Sequence, residues 1–156
     1  MNKVAKELKQ TVDQHAQFLG ELSEDVFSAK RIPGKWSPKE ILGHLIDSAQ
    51  NNIQRFVRGQ YEDTPRIVYA QDDWVRLQDY QHYEKVELIR LWVSINRHLC
   101  RILVAMDPAN YEKKCNTGST TEELHTLAFL AEDYRSHMIH HLNQLKERIK
   151  NANTLQ

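Results

Sequence analysis

The sequence contains few of the residues on which turn-rich or disulfide-bonded folds depend. Its 156 residues include only five glycines, four prolines and two cysteines. So few glycines and prolines argue against a β-rich protein with many tight turns. Cys100 and Cys115 lie far apart and lack CxxC spacing, so they predict no disulfide framework. We interpret Cys100 as a core residue and Cys115 as a loop residue.

The chain also lacks net charge and long apolar runs. Its 21 basic and 21 acidic residues balance, whereas proteins that bind nucleic-acid phosphates usually carry a basic excess or a basic face. No apolar stretch approaches the length that spans a membrane, and the first residues, MNKVAKE, contain no apolar signal core. We therefore expect one cytoplasmic domain, residues 1–156, that binds neither nucleic acid nor a membrane.

What the sequence does contain is four long helical patterns, in which apolar residues recur at helical spacing. Four helices of this length, each with one apolar face, bury those faces best as an all-α four-helix bundle. A short helical piece is predicted around Asp72 to Tyr80. The long helices are predicted from about Lys3 to Leu22, Pro38 to Arg58, Glu84 to Met106, and Thr120 or Thr121 to Ile149.

Two capping boxes indicate where helices begin. Ser37 and Glu40 have the S-x-x-E spacing, with Pro38 at the first helical position, where its missing N–H costs nothing. Thr120 and Glu123 repeat the spacing, so the last long helix is predicted to begin there, after a loop. The polar tail, residues 151–156, is expected to fray.

His137 and His141 are the strongest candidates for chemistry among the eight histidines. Their i, i+4 spacing places both side chains on one helix face, where two imidazoles can reach one metal ion. They continue a stripe that includes Tyr134 and Leu145. Spacing alone leaves a metal site and a hydrogen-bonded pair both open. We interpret the others as a core residue, His15, and as surface residues, His82, His98, His125 and His140.

His44 provides a third candidate ligand, at the edge of the apolar face of the second long helix. Asp47, three residues later, could orient it or accept a hydrogen bond from it. Neither an HExxH motif nor a carboxylate-rich ExxH pair is present, which argues against thermolysin-like and di-iron sites. Three neutral histidines with an open position would be a site of catalytic type.

Residues 36–47, WSPKEILGHLID, and residues 137–145, HMIHHLNQL, resemble two motifs of the DinB-like superfamily, W-S-x-x-E-x-x-x-H-L-x-D and H-x-x-x-H-x-x-Q-[IL]. Residues 69–74 are also similar to the middle region of that family. The resemblance implies an up-down-down-up four-helix bundle with one long crossover connection. It implies zinc or nickel held by His44, His137 and His141, and a homodimer.

The same resemblance implies several activities, because the superfamily includes thiol-dependent transferases and metal-dependent hydrolases. Our leading hypothesis is an S-transferase in which a metal-bound thiolate, from a low-molecular-weight thiol, attacks a small electrophilic substrate. Asp47 and Gln144 are candidate residues around the ligands. Hydrolysis by metal-activated water is the alternative. A third possibility is a non-enzymatic, stress-related bundle whose metal only holds helices together.

Overall fold

The computed structural model describes the chain from Met1 to Asn153, with side chains as far as Lys150. Four long helices carry the fold, and shorter elements connect them. The helices are α1 (Asn2–Glu21), α2 (Glu24–Ser28), α3 (Pro38–Arg58), α4 (Gln71–Leu77), α5 (Lys85–Ala105) and α6 (Leu127–Asn153), the strands are β1 (Lys114–Asn116) and β2 (Leu124–Thr126), and single 3₁₀ turns span Tyr80–His82 and Pro108–Asn110.

The helix directions follow from side-chain contacts between their ends. Lys85, at the start of α5, donates to the Leu22 carbonyl just after α1, so α1 and α5 are antiparallel. Lys39, at the start of α3, donates to the Tyr83 carbonyl just before α5, so α3 and α5 are parallel. His44 meets His137 near the middle of α6.

Helix α6 runs parallel to α1 and antiparallel to α3. Arg135 pairs with Glu7, and eleven residues further along both helices Lys146 lies over the Phe18 ring. The four long helices therefore run up, down, down and up, as predicted. The long crossover is the segment between Gly59 and Glu84, which contains α4.

The bundle core is continuous across all four long helices. Its largest fully buried side chains include Trp92 of α5 and Tyr134 of α6, whose hydroxyl donates to Asn96 at 2.5 Å. This hydrogen bond satisfies a polar group that would otherwise be costly to bury. Among the described residues, no helix has a stretch both long and apolar enough to traverse a bilayer.

The start of α3 confirms the first capping box. The Ser37 hydroxyl accepts from the Glu40 backbone N–H, and the Glu40 carboxylate accepts from the Ser37 N–H at 2.9 Å. The helix ends at Arg58, as predicted, with Gly59 as its C-cap. Because the capping box defines where α3 begins, it also sets which direction each side chain of the first turns faces.

The second predicted capping box is wrong, and α6 begins at Leu127 instead of Thr120 or Thr121. Asn116 explains the difference, because its side-chain oxygen accepts from the backbone N–H groups of Gly118 and Glu123 and closes a turn. The chain then pairs β2 with β1, a two-stranded hairpin that the helical prediction did not include. Thr126 supplies the actual cap, since its hydroxyl accepts from the Phe129 N–H.

Smaller differences concern chain ends and cysteines. Helix α6 continues to Asn153, so residues 151–153 are helical where fraying was expected; the rest of the predicted tail, residues 154–156, lies outside the described residues. Cys100 is buried in the core, as predicted, whereas Cys115, predicted as a loop residue, is buried on β1. Its thiol packs against the last turn of α3, where it donates to the Arg55 carbonyl.

Candidate metal centre

Helix α3 delivers His44 to the middle of the bundle, two turns after the capped start. The side chain is fully buried. The Trp36 ring, just before the helix, packs on the imidazole with 5.0 Å between ring centroids. The indole therefore forms one wall around His44 and restricts how its ring can turn.

Helix α6 delivers the other two imidazoles, as the i, i+4 spacing predicted. The rings of His137 and His141 lie 4.4 Å apart at their centroids, and both side chains are partly buried. Tyr134 and Leu145, one turn to either side, are buried. The two histidines thus face inward on the stripe that packs against α3.

The three imidazoles converge on one point. His44 Nε2 and His137 Nε2 are 3.2 Å apart, and one nitrogen of each of the three rings lies within 4.8 Å of the others. Nitrogen ligands about 2.0–2.1 Å from a tetrahedral zinc ion would be about 3.4 Å apart. The observed spacing fits a divalent ion after small side-chain shifts.

Burial keeps the three rings neutral, which is the state that ligates metal. It lowers the pKa of His44 from 6.5 to about 3 and that of His137 to about 4, and the neighbouring imidazoles contribute in the same direction. The pKa of His141 is also lowered, mainly by burial. Three uncharged nitrogen donors in one cluster suit a divalent transition-metal ion.

Comparison with known proteins places this chain in a family. The sequence profile of the DinB superfamily matches residues 7–145 of the chain. The chain belongs to the DinB superfamily. The resemblance of its two histidine motifs to that family is thereby confirmed.

Individual DinB relatives are distant but match over most of their length. A Bacillus mycoides protein named "putative metal-dependent hydrolase" is 24% identical over 151 residues, which cover 96% of this chain and 87% of that protein. A Bacillus licheniformis protein of the same description is 25% identical over 141 residues, covering 90% of this chain and 80% of that protein.

A solved DinB-like structure confirms the fold. YfiT from Bacillus subtilis, described as "a probable metal-dependent hydrolase with an unusual four-helix bundle topology", superposes with a TM-score of 0.87. The superposition covers 97% of this chain and 86% of YfiT, at 20% sequence identity. At that identity the match establishes the architecture alone.

Two side chains of this DinB chain contact the rings of His137 and His141 from outside the cluster. Gln144 Oε1 lies 3.2 Å from His141 Nδ1, and Ser48 Oγ lies 3.5 Å from His137 Nδ1. When Nδ1 carries the proton and donates to these oxygens, the Nε2 lone pair is free for a metal. Gln144 was predicted. Ser48 was missed, although its position four residues after His44 places it on the same face of α3.

Asp47 has a different environment from the one predicted. Its carboxylate is fully buried and accepts from the Tyr80 hydroxyl at 2.6 Å and the Gln78 amide at 2.5 Å. Burial raises its pKa to about 6. Within the described part of the chain it forms no hydrogen bond with His44, and both Asp47 Oδ2 and His44 Nδ1 are buried without a partner.

The remaining histidines match their sequence interpretation in most cases. His15 is half-buried and bonds the Thr11 carbonyl at 2.8 Å through Nδ1. His125 is partly buried and stacks on Phe129, so it is less exposed than predicted. The others, His82, His98 and His140, are exposed.

A cavity of about 350 Å³ adjoins the triad on the side of His141. One wall comes from the segment before α3 and includes Trp36, and another comes from the last turns of α6. The triad is therefore not sealed inside the bundle. Its lining consists of Gly34, Lys35, Trp36, Ile41, Gln71, Asp72, His141, Gln144 and Arg148.

Proposed function

We propose that the chain is a metal-dependent enzyme that holds one divalent ion, zinc or nickel, through His44, His137 and His141. The observation that carries the proposal is the convergence of three neutral imidazoles beside a cavity large enough for a small substrate. The names given to the distant relatives, metal-dependent hydrolases, support the same class of protein.

Thiol transfer is the reaction that these residues support best. When bound, a divalent ion with three neutral ligands lowers the pKa of a thiol or a water molecule at its open position. A free thiol has a pKa of about 8.5 and needs far less activation than water. The thiol sulfur would bond to an electrophilic carbon as the leaving group departs, and the thiol proton would pass to solvent.

The two cysteines of the protein also favour a reaction that uses an external thiol. Both cysteines are buried and neither belongs to the histidine cluster, and burial raises the pKa of the Cys100 thiol to about 11. Neither is a suitable nucleophile, because the thiolate is the reactive form. An external thiol would therefore supply the sulfur, while Trp36 shields one face of His44 from water.

Hydrolysis is the second candidate, and Asp47 is the observation that favours it. A carboxylate with a pKa near 6 is suited to accept a proton at neutral pH. Its Oδ1 is already bonded by Tyr80 and Gln78, so only Oδ2 is available. An Asp47→Asn variant should abolish hydrolysis of an ester substrate but preserve thiol-dependent product formation.

Metal analysis of the purified protein tests the proposed site. We expect about one zinc or nickel ion per chain in the native protein and almost none in the His137→Ala/His141→Ala variant. The matched control is His82→Ala/His98→Ala, which removes two exposed imidazoles on other elements. Equal metal content in all three proteins would refute the site.

A rate measurement separates the two reactions. The metal-loaded protein is mixed with an activated aryl chloride, with and without low-molecular-weight thiols. Product formation that requires a thiol supports transfer, and product formation with water alone supports hydrolysis. The homodimer implied by the family resemblance stays a prediction.

A further inference from the structure

We propose that the cavity beside the triad recognises a substrate carrying one carboxylate, and that Arg148 binds it. This inference deepens the proposed function and rests on it, because it names the chemical class of the molecule that approaches the metal. The inference depends on the charges around the cavity and on one buried guanidinium nitrogen without a hydrogen-bond partner among the described residues.

Arg148 lies on the same stripe of α6 as the metal ligands. His141, Gln144 and Arg148 follow at spacings of three and four residues, so their side chains share one helix face. Arg148 is seven residues beyond His141, about 10 Å along the helix axis. Helical side chains lean toward the N-terminus, which brings the long arginine back toward the triad.

One N–H donor of the Arg148 guanidinium lacks a hydrogen-bond acceptor. Its Nε is buried and has no hydrogen-bond partner among the described residues. Arginine stays protonated in proteins, and a buried donor without an acceptor is unfavourable. An oxyanion entering the cavity would satisfy that donor with a charge-assisted hydrogen bond.

The other charged residues of the cavity indicate a single negative charge on the ligand. Lys35 and Asp72 also line the cavity, and neither forms a salt bridge with another described residue. Apart from the ion proposed at the triad, these two residues and Arg148 leave one net positive charge in the cavity lining. A monoanionic carboxylate matches that charge better than a doubly charged phosphate group, which Asp72 would repel.

The size and lining of the cavity limit the ligands that it can hold. A volume of about 350 Å³ is at the small end of ligand sites. Trp36 and Ile41 add apolar surface to the lining that also contains His141 and Arg148. The substrate would therefore have a reactive atom near His141, a short apolar middle part, and a carboxylate near Arg148.

Four matched ligands test this proposal against metal-loaded protein by titration calorimetry. N-acetylcysteine and N-acetylcysteinamide differ only in the carboxylate, and N-acetylalanine with its amide repeats the comparison without the thiol. We expect each acid to bind about tenfold or more tightly than its amide. Arg148→Gln should remove most of that difference, and Arg148→Lys should restore part of it.

Arg90→Gln is the control variant, since Arg90 is an exposed arginine of α5 whose charge pairs with Glu87. It should keep the full preference for the acids. Equal binding of acid and amide, no binding of any of the four, or a preference that survives Arg148→Gln would overturn the carboxylate inference. Failure of the thiol-transfer proposal would look different: in cobalt-loaded protein, neither thiol would produce a sulfur-to-metal absorption band.

Discussion

Gln144 is the side chain through which α6 controls the orientation of one proposed metal ligand. Its carbonyl oxygen lies 3.2 Å from His141 Nδ1, so it fixes the tautomer in which Nε2 can ligate. The residue gains this role from its position three residues after His141, since residues at i and i+3 are neighbours on a helix surface. The contact with Gln144 thereby orients the His141 ring for binding the proposed ion.

Gln144→Leu is expected to weaken metal binding without unfolding the protein. Losing the acceptor allows the ring to rotate and to change tautomer, and such outer contacts typically contribute 10–100-fold in affinity. Competition with a chromogenic chelator measures the change. Gln144→Glu keeps an acceptor and should retain binding, and Asn143→Ala, at an exposed neighbouring position, should have no effect. An unchanged affinity in Gln144→Leu would contradict the assigned role.

The candidate site could be predicted from the sequence where helical spacing decides the geometry. His137, His141 and Gln144 share one helix, so a regular backbone predicts their relation. His44 comes from another helix, and family resemblance strengthened its assignment. The partners of Asp47 could not be predicted, because Tyr80 and Gln78 reach it from an irregular connection about 30 residues away.

At the scale of elements, the crossover packs directly on α3 because Gly43 has no side chain. A Cβ atom added at Gly43 would lie 2.1 Å from the Tyr80 ring. This close approach lets the Tyr80 hydroxyl reach Asp47 inside the bundle. Gly43, the residue before His44, therefore allows the crossover to pack closely beside the histidine cluster.

Gly43→Ala is expected to destabilise the protein by about 1–3 kcal/mol, because overpacking forces the rigid Tyr80 ring and the crossover to move. Urea unfolding followed by circular dichroism measures the loss. Gly20→Ala is the matched control, since no atom lies within 4 Å of its added Cβ in α1. Alanine is favoured over glycine in a helix, so the control should be neutral or stabilised by up to about 1 kcal/mol. Equal stability of the two variants would show that the contact is relaxed easily.

The two capping boxes show why element boundaries were only partly predictable. Ser37 and Glu40 form their reciprocal hydrogen bonds, because Pro38 already restricts the backbone to the helical start. Thr120 and Glu123 have the same spacing, yet the Glu123 N–H is taken by Asn116. Asn116, seven residues earlier on the facing strand, thus prevents the helix from beginning at Thr120. A four-residue capping motif cannot include this contact, because Asn116 lies outside it.

At the scale of the whole molecule, the buried titratable groups couple stability to pH. His44 and His137 have pKa values of about 3 and 4 in the folded protein, below the ordinary 6.5. Below pH 6.5 the unfolded chain binds protons that the folded chain does not, so both groups reduce stability as pH falls. Asp47, with its pKa raised to about 6, has the opposite effect between pH 6 and 4.

We expect the two histidines to dominate, so that metal-free protein loses a few kcal/mol of stability between pH 7 and pH 4. Urea unfolding at several pH values measures the slope. His44→Gln should flatten it, because one proton-binding difference is removed, whereas His98→Gln, at an exposed position, should leave it unchanged. A metal-free protein that is equally stable at both pH values would disprove the coupling.

The triad also has a consequence for biosynthesis. His44 and His137 are 93 residues apart in sequence, so the crossover, α5 and the hairpin are all synthesised between them. A ribosome still producing that stretch carries a nascent chain with a single imidazole of the three. At the proposed site, ion capture would therefore follow the synthesis of α6, and a chain stalled before that helix would lack two of the three proposed ligands.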